Sequence, residues 1–261
     1  MRLRLTVART RPARLKAPFL KQLTLLEERI EPGVFPFTLP YAGRPLDLAF
    51  EQPVTFFVGD NGTGKSTLIE AIAEQCGLSP HGGSRDHAGA GAEEAVAKLA
   101  GALRLAWLPK VRGFFFRAET FFDFAGYIDQ VSPGRDASRE LLQLSHGEGY
   151  IAFIESRLAR QEPALYLFDE PESALAPERQ LELLAIIDAK RRSGTAQFII
   201  ATHSPILMAL PDSDILLFNH RGIHRWRFDE LPPLRWYRRF LADPQGYLAD
   251  YLAGRDTDEE S

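Results

Sequence analysis

Residues 59 to 67 read GDNGTGKST, and that string restricts the fold around it more than any other in the chain. A loop of the form G-x-x-x-x-G-K-[ST] holds phosphate only where a strand enters it and a helix leaves it. VTFFV at residues 54 to 58 has the apolar character of a buried strand, and LIEAIAEQC after the loop is helix-like. Gly59, Gly62 and Gly64 let the backbone turn so that several N–H groups face one anion. Asp60, Asn61 and Thr63 fill the loop between them. Lys65 adds a full charge for the β- and γ-phosphates, and the hydroxyl of Ser66 is placed to ligate Mg²⁺. A helix starting near Lys65 and Thr67 directs its positive end at the same point. A glycine-rich turn matching by chance is the competing reading, and the order strand, loop, helix argues against it. The loop implies a nucleoside triphosphate without saying what it is for.

The rest of the chain fits an α/β fold. ALYLF (164 to 168) and FIIAT (198 to 202) are near-continuous apolar runs of strand length. Leu181, Leu184 and Ile187 between them, and Ile151, Ile154 and Leu158 earlier, recur at helical spacing. Strands of this kind alternating with helices predict a mainly parallel sheet covered on both faces. The alternation in LRLTV near the start and in LDLAFE (46 to 51) predicts an antiparallel β portion ahead of the phosphate loop. DILLFN and GIHRWRF read as a hairpin, and the chain closes on one or two short aromatic helices. Residues 79 to 92 and 132 to 138 are glycine-rich or polar and read as surface loops.

Composition excludes several classes. With 45% hydrophobic and 25% charged residues the chain is ordinary for a globular protein. No apolar run approaches the roughly 18 residues of a membrane span, and no secretory core follows the basic start, so the expectation is a cytoplasmic protein. Cys76 is the only cysteine, which excludes an internal disulfide and a thiolate zinc cage. The net charge of −4 announces no nucleic-acid partner. Locally, residues 1 to 17 form a basic arm able to meet phosphate backbones or an acidic partner. Residues 254 to 261 form an acidic tail expected to be disordered.

Acids and a histidine then fall where a phosphate loop needs them. Asp169 closes the ALYLF strand, where a carboxylate can reach Mg²⁺, since ligands gather at the carboxyl ends of strands in open α/β sheets. Glu170 is suited to orient or deprotonate a water attacking the γ-phosphate. LSHGEG (144 to 149) precedes a helix. Ser145 can cap it, and Gly147 allows close approach of a phosphate at a helix N-terminus. His203, after the FIIAT strand, can donate to the γ-phosphate and the attacking water.

Taken together these strings resemble the ABC-type ATPases, in their SMC-like and RecF-like branch, and most closely the small stand-alone predicted ATPases of the AAA-15/AAA-21 type. GDNGTGKST corresponds to Walker A, LSHGEG to the signature, LYLFDEPESAL to Walker B with the D-loop, and ATHSP to the histidine switch. FFFRAETFF and FLADPQGYLADYL also look like the small family. The resemblance implies an ABC-ATPase-like P-loop NTPase fold in one domain over residues 18 to 253. It implies ATP and Mg²⁺ as cofactors, and a homodimer in which Ser145 and Gly147 of one chain close on ATP held by Walker A of the other. Within it Lys65, Glu170 and His203 are catalytic, and Ser66, Asp169 and Glu119 are the metal set. Three departures stand out. His146 sits where the signature often has Gly, and Ala176 where the D-loop usually has Asp. No glutamine marks the Q-loop, for which Glu119 is the best candidate and Arg117 the competitor.

Only 25 residues separate Glu119 from Ser145, too few for a long coiled coil. The leading expectation is an ATP-closed dimer that hydrolyses ATP to ADP and phosphate and acts on nucleic acid, in repair or defence. The alternative is an ATP-binding subunit serving a separate protein or membrane transporter partner. A small-molecule kinase sharing only the phosphate loop ranks last.

Overall fold

A computed structural model of the chain describes residues 16–78, 90–118 and 146–255. Its centre is a six-stranded sheet. β3 (Val54–Gly59) lies between β7 (Ala196–Ala201) and β8 (Asp214–Asn219). β6 (Ala164–Asp169) continues the sheet beyond β7, and β5 (Arg112–Arg117) forms its edge. These five strands run parallel, and β9 (Gly222–Trp226) closes the other edge antiparallel to β8 as the expected hairpin. All six residues of β3 and of β7 are buried, because both faces are covered and neither face needs polar side chains.

The two faces divide the core by strand alternation. Phe57, Leu167, Ile199 and Leu216 point to one side, against Leu68, Ile69 and Ile72 of α1 (Lys65–Gln75) and Leu99 of α2 (Ala90–Ala102). Phe56, Val58, Phe168 and Ile200 point to the other. There they meet Ile154 and Leu158 of α3 (His146–Leu158) and Leu183 and Ile187 of α4 (Pro177–Arg192). A short α5 (Pro205–Met208) follows β7. After β9 come α6 (Pro232–Ala242) and α7 (Pro244–Leu252), where Trp236 stacks on Phe240.

A second, three-stranded antiparallel sheet has the order β2 (Leu46–Ala49), β1 (Leu20–Leu25), β4 (Leu103–Trp107). LDLA is a strand as expected, and its partner is LKQLTL; the LRLTV segment lies outside the described residues. A buried amide joins the small sheet to the large one, and Arg225 of β9 adds a bond to the Ala49 carbonyl of β2 at 3.0 Å. Gln197 of β7 accepts hydrogen bonds from the N–H groups of Phe19 and Leu20, at 2.7 and 2.8 Å, and returns one to the carbonyl of Leu20 at 2.9 Å. A polar side chain survives in a fully apolar strand because its hydrogen-bonding capacity is used.

Two local expectations are corrected. Helix α2 begins at Ala90, inside the segment read as loop, whose residues 79–89 lie outside the described region. In α4 the buried face is Leu183, Ile187 and Lys190, while Leu181 is 57% exposed. The spacing 183, 187, 190 satisfies the helical period as well as 181, 184, 187 does, and packing on the sheet selects the first.

Candidate active site

The phosphate loop leaves β3 and enters α1 as the sequence requires. Gly59, Gly62 and Gly64 all have positive φ, at 143°, 79° and 89°. At Gly64 a side chain is excluded twice over, by that φ and by Leu39 and Tyr41, whose atoms would lie 2.8 Å from an added Cβ. The buried hydroxyl of Tyr41 donates to the Gly64 carbonyl at 2.9 Å and props the loop from beneath. No side chain caps the N-terminus of α1, which suits an end that is to receive an anion. Asp60 and Asn61 face solvent, and Thr63 closes the turn by donating to the Asp60 carbonyl at 2.8 Å.

Lys65 is only 4% exposed. Its ammonium donates to the carbonyls of Gly59 and Asp60 at 2.6 and 2.9 Å. Burial lowers its pKa, while Glu170, Asp169, Asp60 and Glu172 act in the opposite sense. The charge is thus held over the mouth of the loop, among acids.

Walker A and Walker B meet at one bond. The Ser66 hydroxyl donates to Oδ1 of buried Asp169 at 3.0 Å. Thr67, next on α1, is half-buried. Arg117 stands opposite Asp169 in the β5–β6 register; its Nε lies 3.5 Å from Oδ2 and its Nη1 2.6 Å from Glu70. Among the described residues no three His, Cys, Asp or Glu side chains gather as a cage for a metal ion. The Ser66–Asp169 pair nevertheless fits Mg²⁺, which is commonly held by one or two protein oxygens with phosphates and waters completing an octahedron.

Beyond the strand end, Glu170 takes a left-handed φ of 47° while its N–H stays bonded to the Ala201 carbonyl at 2.9 Å. The turn aims its carboxylate at His203, whose Nε2 is 3.7 Å from Oε1. His203 is 42% exposed. Burial and then Lys65 lower its pKa, against Glu170 and Asp60, so the ring is neutral at pH 7 and can accept or donate by tautomer. A non-glycine residue in this conformation stores strain and is a frequent mark of a functional turn.

The structure brings Gly59 to Thr67, Asp169, Glu170 and His203 together. Gly147 lies in the first turn of α3. Ser145 and Glu119 lie outside the described residues, as do most of the basic arm and most of the acidic tail. Arg117, the competitor of Glu119, stands beside Asp169. Ala176 is the exposed N-cap of α4 and supplies no side-chain cap.

Three supporting residues escape sequence reading. Glu172 accepts from the backbone N–H of His203 at 2.6 Å, with its Oε2 buried and unpaired. Burial raises its pKa against hydrogen bonds from Thr202 and His203. Tyr150 of α3 donates to the Pro171 carbonyl at 2.6 Å, tying α3 to the turn after β6. Arg179 of α4 bridges Glu148, in the first turn of α3, at 2.8 Å. The only signal for Glu172 was its place in the DEPES string. Cys76 is no nucleophile: burial pushes its thiol up to about 11.

Comparison with known proteins accords with this geometry. Residues 112–209 match the family described as "AAA domain, putative AbiEii toxin, Type IV TA system", and residues 34–95 match a second AAA domain family. Two separate stretches of the chain, each less than half of its length, are thus similar to AAA domains. Over 102 residues, 36% of this chain, it is 34% identical to the hemin import ATP-binding protein HmuV of Nitrobacter winogradskyi. That match spans 37% of the relative's length. Among solved structures, "An inward-facing conformation of a putative metal-chelate type ABC transporter" aligns at TM-score 0.47 and 18% identity, over 80% of this chain and 84% of that one. The SMC head domain from Thermotoga maritima aligns at TM-score 0.45 and 17% identity, over 80% and 99%. The first matched stretch contains Asp169, Glu170 and His203, and the second contains the whole phosphate loop.

Proposed function

We propose that residues 18–253 act as one Mg²⁺-dependent ATPase unit that hydrolyses ATP to ADP and phosphate, and that two copies close around the nucleotide. The observation that carries the reading is the 3.0 Å bond from Ser66 to Asp169 beside buried Lys65, with Glu170 and His203 paired at the neighbouring strand ends. The phosphate loop binds the triphosphate through its N–H groups and Lys65. Ser66 and Asp169 would hold Mg²⁺, which would supply charge neutralisation on the phosphates. Glu170 orients the attacking water and takes its proton. His203, held by the grip of Glu172 on its backbone, donates to the γ-phosphate.

Gly147 supports the dimer. Its φ is not positive, and an added Cβ would meet nothing closer than Arg179 Cγ at 3.8 Å, so packing within one chain does not demand glycine there. A glycine free of internal need suits close approach by a second molecule's nucleotide. Ser145 would stand beside it.

For the work driven by hydrolysis, the leading reading is action on nucleic acid in the cytoplasm, in repair or defence, with the basic arm of residues 1–17 as a contact. The AbiEii toxin description of the matched family accords with the defence arm of this reading. The similarity to HmuV favours the alternative, an ATP-binding subunit with a separate membrane or protein partner; no described helix is long and apolar enough to cross a membrane.

The test is Glu170→Gln. Its expected behaviour is retained ATP binding, turnover lowered by about 10²-fold or more, and elution as a dimer with ATP and Mg²⁺ in size-exclusion chromatography. Turnover at the wild-type rate would overturn the assignment of the base, and a monomer with bound ATP the dimer. Duplex DNA added to wild type should raise turnover with a steep salt dependence. No stimulation transfers the case to the transporter-type partner.

A further inference from the structure

The opposite end of the sheet holds a second polar site that ATP hydrolysis does not use. A cavity of about 70 Å³ lies between the amino ends of β5 and β6 and the last turn of α3, lined by Arg112, Phe114, Arg157, Arg160, Glu162 and Tyr166 among others. From Arg112 and Ala164 to Arg117 and Asp169 the paired strands advance five residues, or about 16 Å at the strand rise. The cavity is therefore remote from the phosphate loop.

Two of its polar atoms are buried without a hydrogen-bond partner: the hydroxyl of Tyr166, a residue only 1% exposed, and Nε of Arg157. Buried donors are rarely left unmade, and each orphan is unfavourable unless something outside the protein completes it. The Arg157 guanidinium is held in place by two rings, 4.9 Å from the centroid of Phe153 and 5.8 Å from that of Phe114. Arg112 and Arg160 stand exposed at the rim, against one acid, Glu162. The lining thus offers three guanidinium groups and a phenol to an acceptor. Room for a water centre takes roughly 10–15 Å³, so the cavity accommodates a group the size of one phosphate but not a nucleic-acid backbone.

We propose that this cavity binds the phosphate group of a small ligand, with Arg157 and Tyr166 as inner donors and Arg112 and Arg160 as the guiding charges. Guanidinium forks suit the tetrahedral oxyanion, and the phenol donates to a third oxygen.

The experiment uses the full chain carrying Lys65→Ala, so that binding at the phosphate loop is weakened, and titrates inorganic phosphate and AMP by calorimetry. Tyr166→Phe and Arg157→Lys are added singly to that background. Saturable binding of either anion is expected, weakened about tenfold or more by each substitution. Tyr166→Phe should melt no lower than its parent, since it removes an unpaired hydroxyl and little else; this keeps lost binding distinct from lost folding. Binding unchanged by both substitutions, or absent for both anions, overturns the proposal. Binding of a single-stranded oligonucleotide but of neither phosphate nor AMP overturns it as well.

Discussion

Ser66 and Asp169 are 103 residues apart in sequence and share one hydrogen bond of 3.0 Å. The hydroxyl lies in the first turn of α1 and the carboxylate closes β6, so the bond joins the proposed phosphate loop to the strand that carries the proposed metal acid. Ser66 and Asp169 are the residues that would hold Mg²⁺, and the hydroxyl can offer a lone pair while its proton stays donated to the carboxylate.

Ser66→Ala should therefore raise the Mg²⁺ concentration needed for half-maximal turnover and leave the fold intact. A change in stability of only about 1 kcal/mol is expected from the lost, half-exposed hydrogen bond. Turnover titrated with Mg²⁺, beside a thermal melt, checks both. An unchanged Mg²⁺ requirement would remove Ser66 from the metal set.

Gly147→Ala separates folding from association. Alanine is the better helix former, by about 1 kcal/mol in a helix interior, and the space beside Gly147 is open to Arg179 Cγ at 3.8 Å. The isolated chain should melt at the same temperature or higher. In the Glu170→Gln background the ATP-bound dimer should weaken, as read by sedimentation at several protein concentrations. A dimer as strong as before would dissociate Gly147 from the interface.

Glu172 links stability to pH. Its carboxyl pKa is raised in the folded chain, chiefly by burial, so folding binds its proton more tightly than unfolding does. The group therefore favours the folded state most at low pH. That contribution fades as pH rises from the unfolded value near 4.5 through the raised folded value. Glu172→Gln removes the dependence and keeps an oxygen for the His203 N–H. Its melting temperature should exceed that of wild type at pH 8, with the gap closing toward pH 4. A gap that widens on acidification would reverse the sign and refute the burial argument.

Much of this site is legible as strings, and the reason is local. GDNGTGKST, DE and TH each sit where a strand ends, and a strand end is marked by its own neighbours. What is not legible depends on partners remote in sequence. Nothing near Gln197 says that its amide receives β1 from 177 residues away. Nothing near Glu172 says that it holds the backbone of His203. The LKQLTL strand is obscured by the adjacent polar pair Lys21 and Gln22, which breaks the alternation that LRLTV shows. Of the two candidates near Asp169, Glu119 is the better by sequence and lies outside the described residues, while the β5–β6 register sets its competitor Arg117 opposite Asp169.

Gln197→Ala tests the joint between the sheets. It leaves the N–H groups of Phe19 and Leu20 and the carbonyl of Leu20 without their partner. A loss of about 2–4 kcal/mol is expected, measurable as a lower urea midpoint. A loss below about 0.5 kcal/mol would mean that the joint is held elsewhere.

That joint also fixes a line of transmission. β7 is clasped near its start by Gln197 and, after Ala201, runs through Thr202 into His203. Its six residues are all buried, and Phe198 to Ala201 are paired on both sides, which makes it a stiff rod, not a tether. A displacement of the small sheet at Gln197 would have to be carried by this rod toward the imidazole, since the strand between them has little room to bend.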